Sequence, residues 1–270
     1  MLRCNRERVR RRFGRLLGLL AVALWLARPS AAAERELLVS AAISLKEPLR
    51  EIGARFEQLH PGVKVVFNFG ASGMLQQQIE QGAPVDVYIS AASTQMDNLQ
   101  AKGLVLPKTR HTLAANGVVL IAPATSRIHL ASFNDLTRPE VKLIAIGNPR
   151  TVPAGEYARA ILTSFGLWDT LHLRLILTEN VRQALAYVRR DEVDAALVYA
   201  TDAQSADTAV RVVTVAPEGS YPPVLYPIAA IKASSQPALA GEFVDLALSK
   251  VGQKILKAHG FLPPPHSPMR

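Results

Sequence analysis

Two serines, each set in the same kind of turn, are the residues of this chain best placed to do chemistry. Ser44 lies in LLVSAAISLKEPL (37–49) and Ser72 in VVFNFGASGMLQQQI (65–79). Both segments pass from an apolar strand pattern, through small residues, into a helical pattern. A strand that ends in small residues ahead of a helix exposes the helix's first N–H groups. Those groups and the helix dipole favour an anion. Neither serine has an obvious catalytic base beside it. The pair therefore points to a site that holds an anion without reacting with it. Two more turns of this kind follow in the second half of the chain. In NPRTVPAGEYARAIL (148–162), Pro153 pre-organises a helix start just before Ala154 and Gly155. Further on, Asn180 is a good N-cap for a helix that begins at Val181.

Reactive readings find less support. Gly70-Ala71-Ser72-Gly73 falls short of the nucleophile elbow G-x-S-x-G, because its second glycine comes one position early. No S-x-x-K dyad includes either serine. A hydrolase triad assembled from distant residues stays open as an alternative. No two of the six histidines are spaced i, i+4, and H-E-x-x-H and Asp-rich calcium loops are absent. Tyr199, Tyr221 and Tyr226 are a donor set for ferric iron, although tyrosines in or beside strands more often pack. Phosphate-loop and dinucleotide motifs are missing. Asp86, a charge within GAPVDVYIS, reads as a structural carboxylate capping neighbouring backbone N–H groups in preference to a ligand. Ser44-Leu45-Lys46-Glu47 reads as a capping box. Gly70 and Gly73 suggest close backbone approach or positive φ.

The elements that must position these residues alternate between strand and helix. Strands are expected at Leu37–Ala41, Val63–Phe69, Val85–Ser90, Gly117–Ala122, Lys142–Gly147, Val193–Tyr199, Arg211–Val215 and Val224–Ile231. Several are nearly all apolar, as strands covered on both faces are. Helical spacing joins Leu45, Leu49, Ile52, Phe56 and Leu59, then Leu75 and Ile79. It returns at Tyr157, Ile161, Leu162 and Phe165, and again at Ala184, Leu185 and Val188. Two helices, Ala238–Ser249 and Lys250–His259, close the chain. The segments around His111 and His172 read as polar connections or element ends. The pattern is α/β with mostly parallel sheets. Such sheets bind ligands at the carboxyl ends of their strands, where all four turns lie. A ligand enclosed between two lobes would meet two helix starts on each side.

The first 33 residues read as a cleaved secretory signal. Seven arginines fall within residues 1–15, an apolar run LLGLLAVALWLA (16–27) follows, and PSAAA (29–33) suits a signal peptidase acting near Ala33. The apolar run is short for a bilayer span. Arg10-Arg11-Arg12-Phe13 also loosely resembles a twin-arginine signal. Of the chain's +9 formal charge, the leader's eight arginines and Glu7 carry +7, leaving +2 on the mature protein. The sequence pI of 9.9 therefore belongs to the leader and argues for no nucleic-acid partner. Cys4, the one cysteine, precedes the apolar run, so no lipoprotein attachment, disulfide or thiolate chemistry is expected of the mature chain. The tail PPPHSPMR (263–270) has nothing apolar to bury.

Five blocks in this order and spacing resemble one family: AAISL (41–45), QIEQGAPVDVYISA (78–91), GNPRTVPAGEYA (147–158), ENVRQAL (179–185) and ALVYATDA (196–203). Over residues 37–262 the chain resembles the periplasmic molybdate-binding proteins of molybdate ABC importers. The resemblance implies a type II periplasmic-binding-protein fold, with two α/β lobes joined by two crossings. Lobe I would span 34–114 plus 214–270, and lobe II 115–213. It further implies a molybdate-binding set of Ser44, Ser72, Ala154, Val181 and Tyr199. The serines would donate from hydroxyl and N–H, Ala154 and Val181 from backbone N–H, and Tyr199 from its phenol. FGASGM has Gly73 where members of the family often carry another Ser or Thr, which removes any hydroxyl donor there. The same resemblance implies a periplasmic monomer that delivers molybdate or tungstate to membrane permease subunits. It implies no enzymatic activity, no cofactor, and molybdenum held only as its oxyanion. A binding protein for sulfate or thiosulfate on the same fold is the alternative, with a serine-dependent extracytoplasmic hydrolase behind it.

Overall fold

The computed structural model describes residues 35–265. The expected leader, its cleavage near Ala33 and the last five residues of the tail lie outside the described residues. Two five-stranded sheets organise the chain. The first contains β1 (Arg35–Ala42), β2 (Val63–Gly70), β3 (Val87–Ile89), β4 (His111–Asn116) and β10 (Val224–Ala230), in the order β2-β1-β3-β10-β4. The second contains β5 (Val118–Pro123), β6 (Ile144–Gly147), β7 (Leu175–Thr178), β8 (Ala195–Tyr199) and β9 (Val210–Val215), in the order β7-β6-β8-β5-β9.

The helices follow from apolar spacing. In α1 (Lys46–Leu59), Leu49, Ile52 and Phe56 recur every three or four residues and are fully buried. Behind β2 comes α2 (Ser72–Glu80), and behind β3 comes α3 (Ser93–Ala101). In the second lobe, α4 (Pro153–Ser164) buries Tyr157, Ile161 and Leu162, and a single turn, α5 (Trp168–Leu171), follows it. There too, α6 (Val181–Arg189) buries Ala184, Leu185 and Val188, and the short α7 (Ala200–Ser205) leads out of β8. The chain closes with α8 (Pro237–Leu248) and α9 (Lys250–Ala258), each within a residue or two of its expected limits. Among the described residues, no helix is long and apolar enough to cross a membrane.

The two-lobe α/β architecture matches the sequence pattern, but the sheets are more mixed than expected. Each has two parallel and two antiparallel pairings. The reason lies in the strands that carry the chain between lobes. β5 runs against β8 and β9, and β10 against β3 and β4. Two strands were not foreseen. β4 begins at His111, in a segment that reads as a polar connection, and β7 is a four-residue edge strand. β4 and β5 form almost one extended run, changing sheets at Gly117. The return crossing lies between Val215 and Val224. The crossings are tied together where Val118 N–H donates to Tyr221 Oη at 3.2 Å.

Asp86 plays its expected structural part. Its carboxylate accepts from Leu38 N–H at 2.7 Å and from the Ser234 hydroxyl, and it is almost completely buried. Removing it would leave a buried N–H of β1 without an acceptor. Asp86→Ala is expected to lower unfolding free energy by about 1–3 kcal/mol, read as a lower urea midpoint at an unchanged slope.

Candidate functional site

The carboxyl ends of β1, β2, β6 and β8 converge on a small cavity of about 10 Å³ between the two sheets' lobes. Ser44, Ser72, Ala154, Val181 and Tyr199 all line it, alongside Ala42, Ala71, Ala91, Val152 and Asn180. The fold thus brings together all five residues singled out from sequence. They come from separate places in the chain. Ser44 sits in a single 3-10 turn (Ile43–Leu45) after β1, and Ser72 opens α2. Ala154 is in the first turn of α4 behind Pro153, and Val181 opens α6. Tyr199 is the last residue of β8.

Local chemistry explains why these ends are free to face a ligand. The first N–H groups of a helix have no intrahelical acceptor. At α2 and α4 no side chain caps them, because Ala71 and Val152 occupy the cap positions. At α6 the expected cap is present, with Asn180 Oδ1 accepting from Gln183 N–H at 3.0 Å. That bond leaves the N–H of Val181, two residues earlier, to the cavity. Among the described residues, no acidic or basic side chain lines this cavity.

The capping box expected at Ser44 is absent. The 3-10 turn delays the start of α1 to Lys46 with Leu45 at its cap, so the Ser44 hydroxyl is not over the helix's first amides. Instead Ser44 Oγ lies 3.1 Å from Tyr226 Oη. Glu47 is likewise drawn elsewhere, to Arg182 Nη2 at 2.7 Å. Ser72 Oγ accepts from Ala91 N–H at 3.0 Å. Among the described residues a backbone amide is its one lone-pair partner, and its proton has no protein acceptor. Among the described residues neither serine has a histidine or carboxylate partner, so the geometry supplies no general base for a nucleophile. No group of three or more His, Cys, Asp or Glu residues there could hold a metal ion.

Tyr199 is the most telling member. It is 1% exposed, and among the described residues its Oη has no hydrogen-bond partner. A buried phenol without a partner is costly, so its proton is poised for a group that enters the cavity. Burial, reinforced by Tyr226, Tyr157, Asp202 and Glu156 nearby, raises its pKa well above the usual phenol value, so it remains a donor. Tyr157 and Tyr226 pack edge-on around its ring at 6.4 and 6.0 Å.

Among the described residues, contacts that join the lobes include the following. Gly73 N–H donates to Thr151 O at 3.0 Å, and Tyr157 Oη to Ala91 O at 3.3 Å. Gln95 Nε2 donates to Glu156 Oε1 at 2.7 Å, and Arg182 pairs with Glu47. Gly73 has no positive φ. It is needed for approach, since a Cβ there would stand 2.7 Å from Thr151 O. Sequence reasoning missed the residues behind the cavity: Tyr226, Asn116 and the Glu47–Arg182–Asp202 cluster. In the sequence Tyr226 reads only as one of three tyrosines that suit ferric iron or pack beside a strand.

Asp202 is fully buried and pairs with Arg182 Nε at 2.6 Å. Burial, opposed by Arg182 and reinforced by Glu47, pushes its carboxyl up from 3.8 to about 6. An acid whose folded pKa is raised binds a proton more readily when folded. Its contribution therefore makes stability fall as pH rises from about 4 to about 6. Asp202→Asn is expected to flatten that stretch of the stability–pH curve in chemical denaturation, and an unchanged slope would contradict the assignment.

Over most of its length the chain is similar to known proteins. Residues 37–262 match the family model described as bacterial extracellular solute-binding protein. The molybdate-binding protein ModA of Haemophilus influenzae is 35% identical, with 86% of this chain and 92% of that protein covered. Its Escherichia coli counterpart is 37% identical, with 84% and 89% covered. Among solved structures, the substrate-binding domain of a putative molybdenum ABC transporter from Clostridium difficile is 39% identical. It has a TM-score of 0.66 and covers 85% of this chain and 99% of that one. The Azotobacter vinelandii periplasmic molybdate-binding protein has a TM-score of 0.75 at 26% identity, with 85% and 100% covered.

Proposed function

The chain belongs to the bacterial extracellular solute-binding protein family, and from that premise we propose that its interlobe cavity captures molybdate for an ABC permease. The observation that carries the reading is the buried, partnerless hydroxyl of Tyr199 in a cavity lined by helix starts and free of charged side chains. Relatives whose names state molybdate binding support the choice of anion.

Molybdate is fully deprotonated at neutral pH, so its oxygens only accept. Three hydroxyls (Ser44, Ser72, Tyr199) and the N–H groups of Ser44, Ser72, Ala154 and Val181 supply donors from both lobes. Each bond to a charged partner contributes roughly 1.5–3 kcal/mol, and each helix terminus about 0.3–1 kcal/mol. Together these exceed the ordering costs and reach submicromolar affinity. Tungstate, nearly isosteric, binds comparably. Sulfate has the right protonation but shorter bonds, so it fits the cage less well. The protein works outside the cytoplasm, in the periplasm after loss of its leader near Ala33. It acts there as a monomer that performs no chemistry on its cargo.

Calorimetric titration of the mature protein tests this. Molybdate and tungstate are expected to bind below micromolar concentration, with sulfate far weaker. Heat with sulfate and none with molybdate or tungstate would overturn the assignment. Ser44→Ala is expected to weaken molybdate binding about tenfold or more, whereas Ala154→Gly changes it little because position 154 acts through its backbone. Equal losses in the two variants would refute that role.

A further inference from the structure

The Glu47–Arg182 pair that joins the lobes has a groove on either side, and both residues line both grooves. One groove, of about 200 Å³, meets the cavity at Ser44 and is walled by Thr201, Gln204 and His259. Its histidine is tied to Glu51, with Nε2 2.6 Å from Oε1. The other groove, of about 240 Å³, meets the cavity at Ile43. On one side it has Lys46 at the start of α1, and on the other Arg182, Leu185, Ala186 and Arg189. Those four recur at i, i+3, i+4 and i+7, which makes them one face of α6. The face starts beside Val181 at the cavity and runs outward for about 10 Å.

The second groove differs from the first in its charge. Arg182 is taken up by Glu47 and Asp202. Lys46 and Arg189 have no ion-pair partner among the described residues. Lys46 is half-buried and Arg189 is exposed at the outer end of α6. Two uncompensated cations thus stand one on each lobe, across a groove that leads to the cavity. A cleft carrying one sign of charge concentrates opposite ions and speeds their association. Without its leader the chain carries only +2 overall, so this local pair, not the net charge, dominates the pull on an anion.

We propose that this groove is an entry site for the oxyanion, where Lys46 and Arg189 hold it transiently before it passes the Ile43 edge into the cavity. The inference rests on the oxyanion-binding reading and adds a second anion site outside the cavity. Charges at a rim act on the on-rate and its salt dependence, whereas the donors that surround a bound ligand act mainly on the off-rate. The cations of the groove and the neutral donors of the cavity therefore govern different steps.

Lys46→Gln/Arg189→Gln is compared with wild type and with Lys142→Gln/Arg127→Gln. The control removes the same charge from exposed positions at the far end of the second sheet, before β6 and after β5. Molybdate association is followed by stopped-flow tyrosine fluorescence, and Kd by calorimetry, from about 10 mM to about 0.5 M ionic strength at pH 8. The groove variant is expected to slow association, and raise Kd, about fivefold at the lowest salt. The difference should shrink below about 1.5-fold at the highest salt, where the screening length is about 4 Å. The off-rate should stay within about twofold of wild type. The control should match wild type throughout. An unchanged on-rate and Kd would overturn the proposal. So would a loss that sits in the off-rate and ignores salt, as a merely structural role predicts, or an equal loss in the control, which would make net charge the cause. Failure of molybdate to bind wild type is a separate outcome. It sinks the molybdate assignment, and the same series with sulfate then decides the groove. If wild type binds neither anion, the oxyanion reading and the entry site fall together.

Discussion

An α-helix leaves its first N–H groups without acceptors, and this chain aims several such ends at one another across a gap between two sheets. The 3-10 turn at Ile43–Leu45 and the start of α2 face the starts of α4 and α6. Unmatched donors crowded together repel, so the arrangement is costly until something that only accepts lies between them. Much of the local structure follows from that demand. The strand ends are built from small residues so that backbone can reach the cavity. Alanine and valine stand where capping side chains would otherwise satisfy the amides. Acidic side chains are kept off the lining, although Glu47, Glu156 and Asp202 are all close by.

The contacts behind the cavity join distant parts of the chain. Ser72 Oγ accepts from a backbone amide, and Ser44 Oγ lies within hydrogen-bond reach of Tyr226 Oη, which in turn accepts from Asn116. The sequence separation between Ser44 and Tyr226 is 182 residues. No periodicity or short motif can express a contact of that kind, which is why Tyr226 read as packing. The capping box failed for a related reason. Ser44 and Glu47 have the right spacing, yet both had stronger partners that only the assembled fold supplies.

Features governed by local physics were legible. Leu49, Ile52 and Phe56 marked a buried helix face, Pro153 and Asn180 marked helix starts, and Asp86 marked a carboxylate tied to backbone. The block pattern carried the five cavity residues to positions that the fold does bring together. Less legible were β4, whose HTLAAN has weak strand propensity and no alternation, and β7, a short edge strand with little buried surface. Sheet direction was misjudged because the strands that run antiparallel are those that change lobes. A linear pattern does not display that change.

Arg182 follows directly on Val181 at the mouth of α6, yet its guanidinium is turned away from the cavity. It is held between Glu47 of one lobe and Asp202 of its own. A full positive charge inside the cage would deepen the well for a dianion steeply, because charges interact strongly where water is excluded. It would lengthen the bound lifetime in proportion, since gains in affinity within one site fall mostly on the off-rate. The fold fastens this cation to two carboxylates, one of them on the opposite lobe, and so keeps its charge off the cavity lining. The cavity wall is left with dipoles alone and no full charge among the described residues.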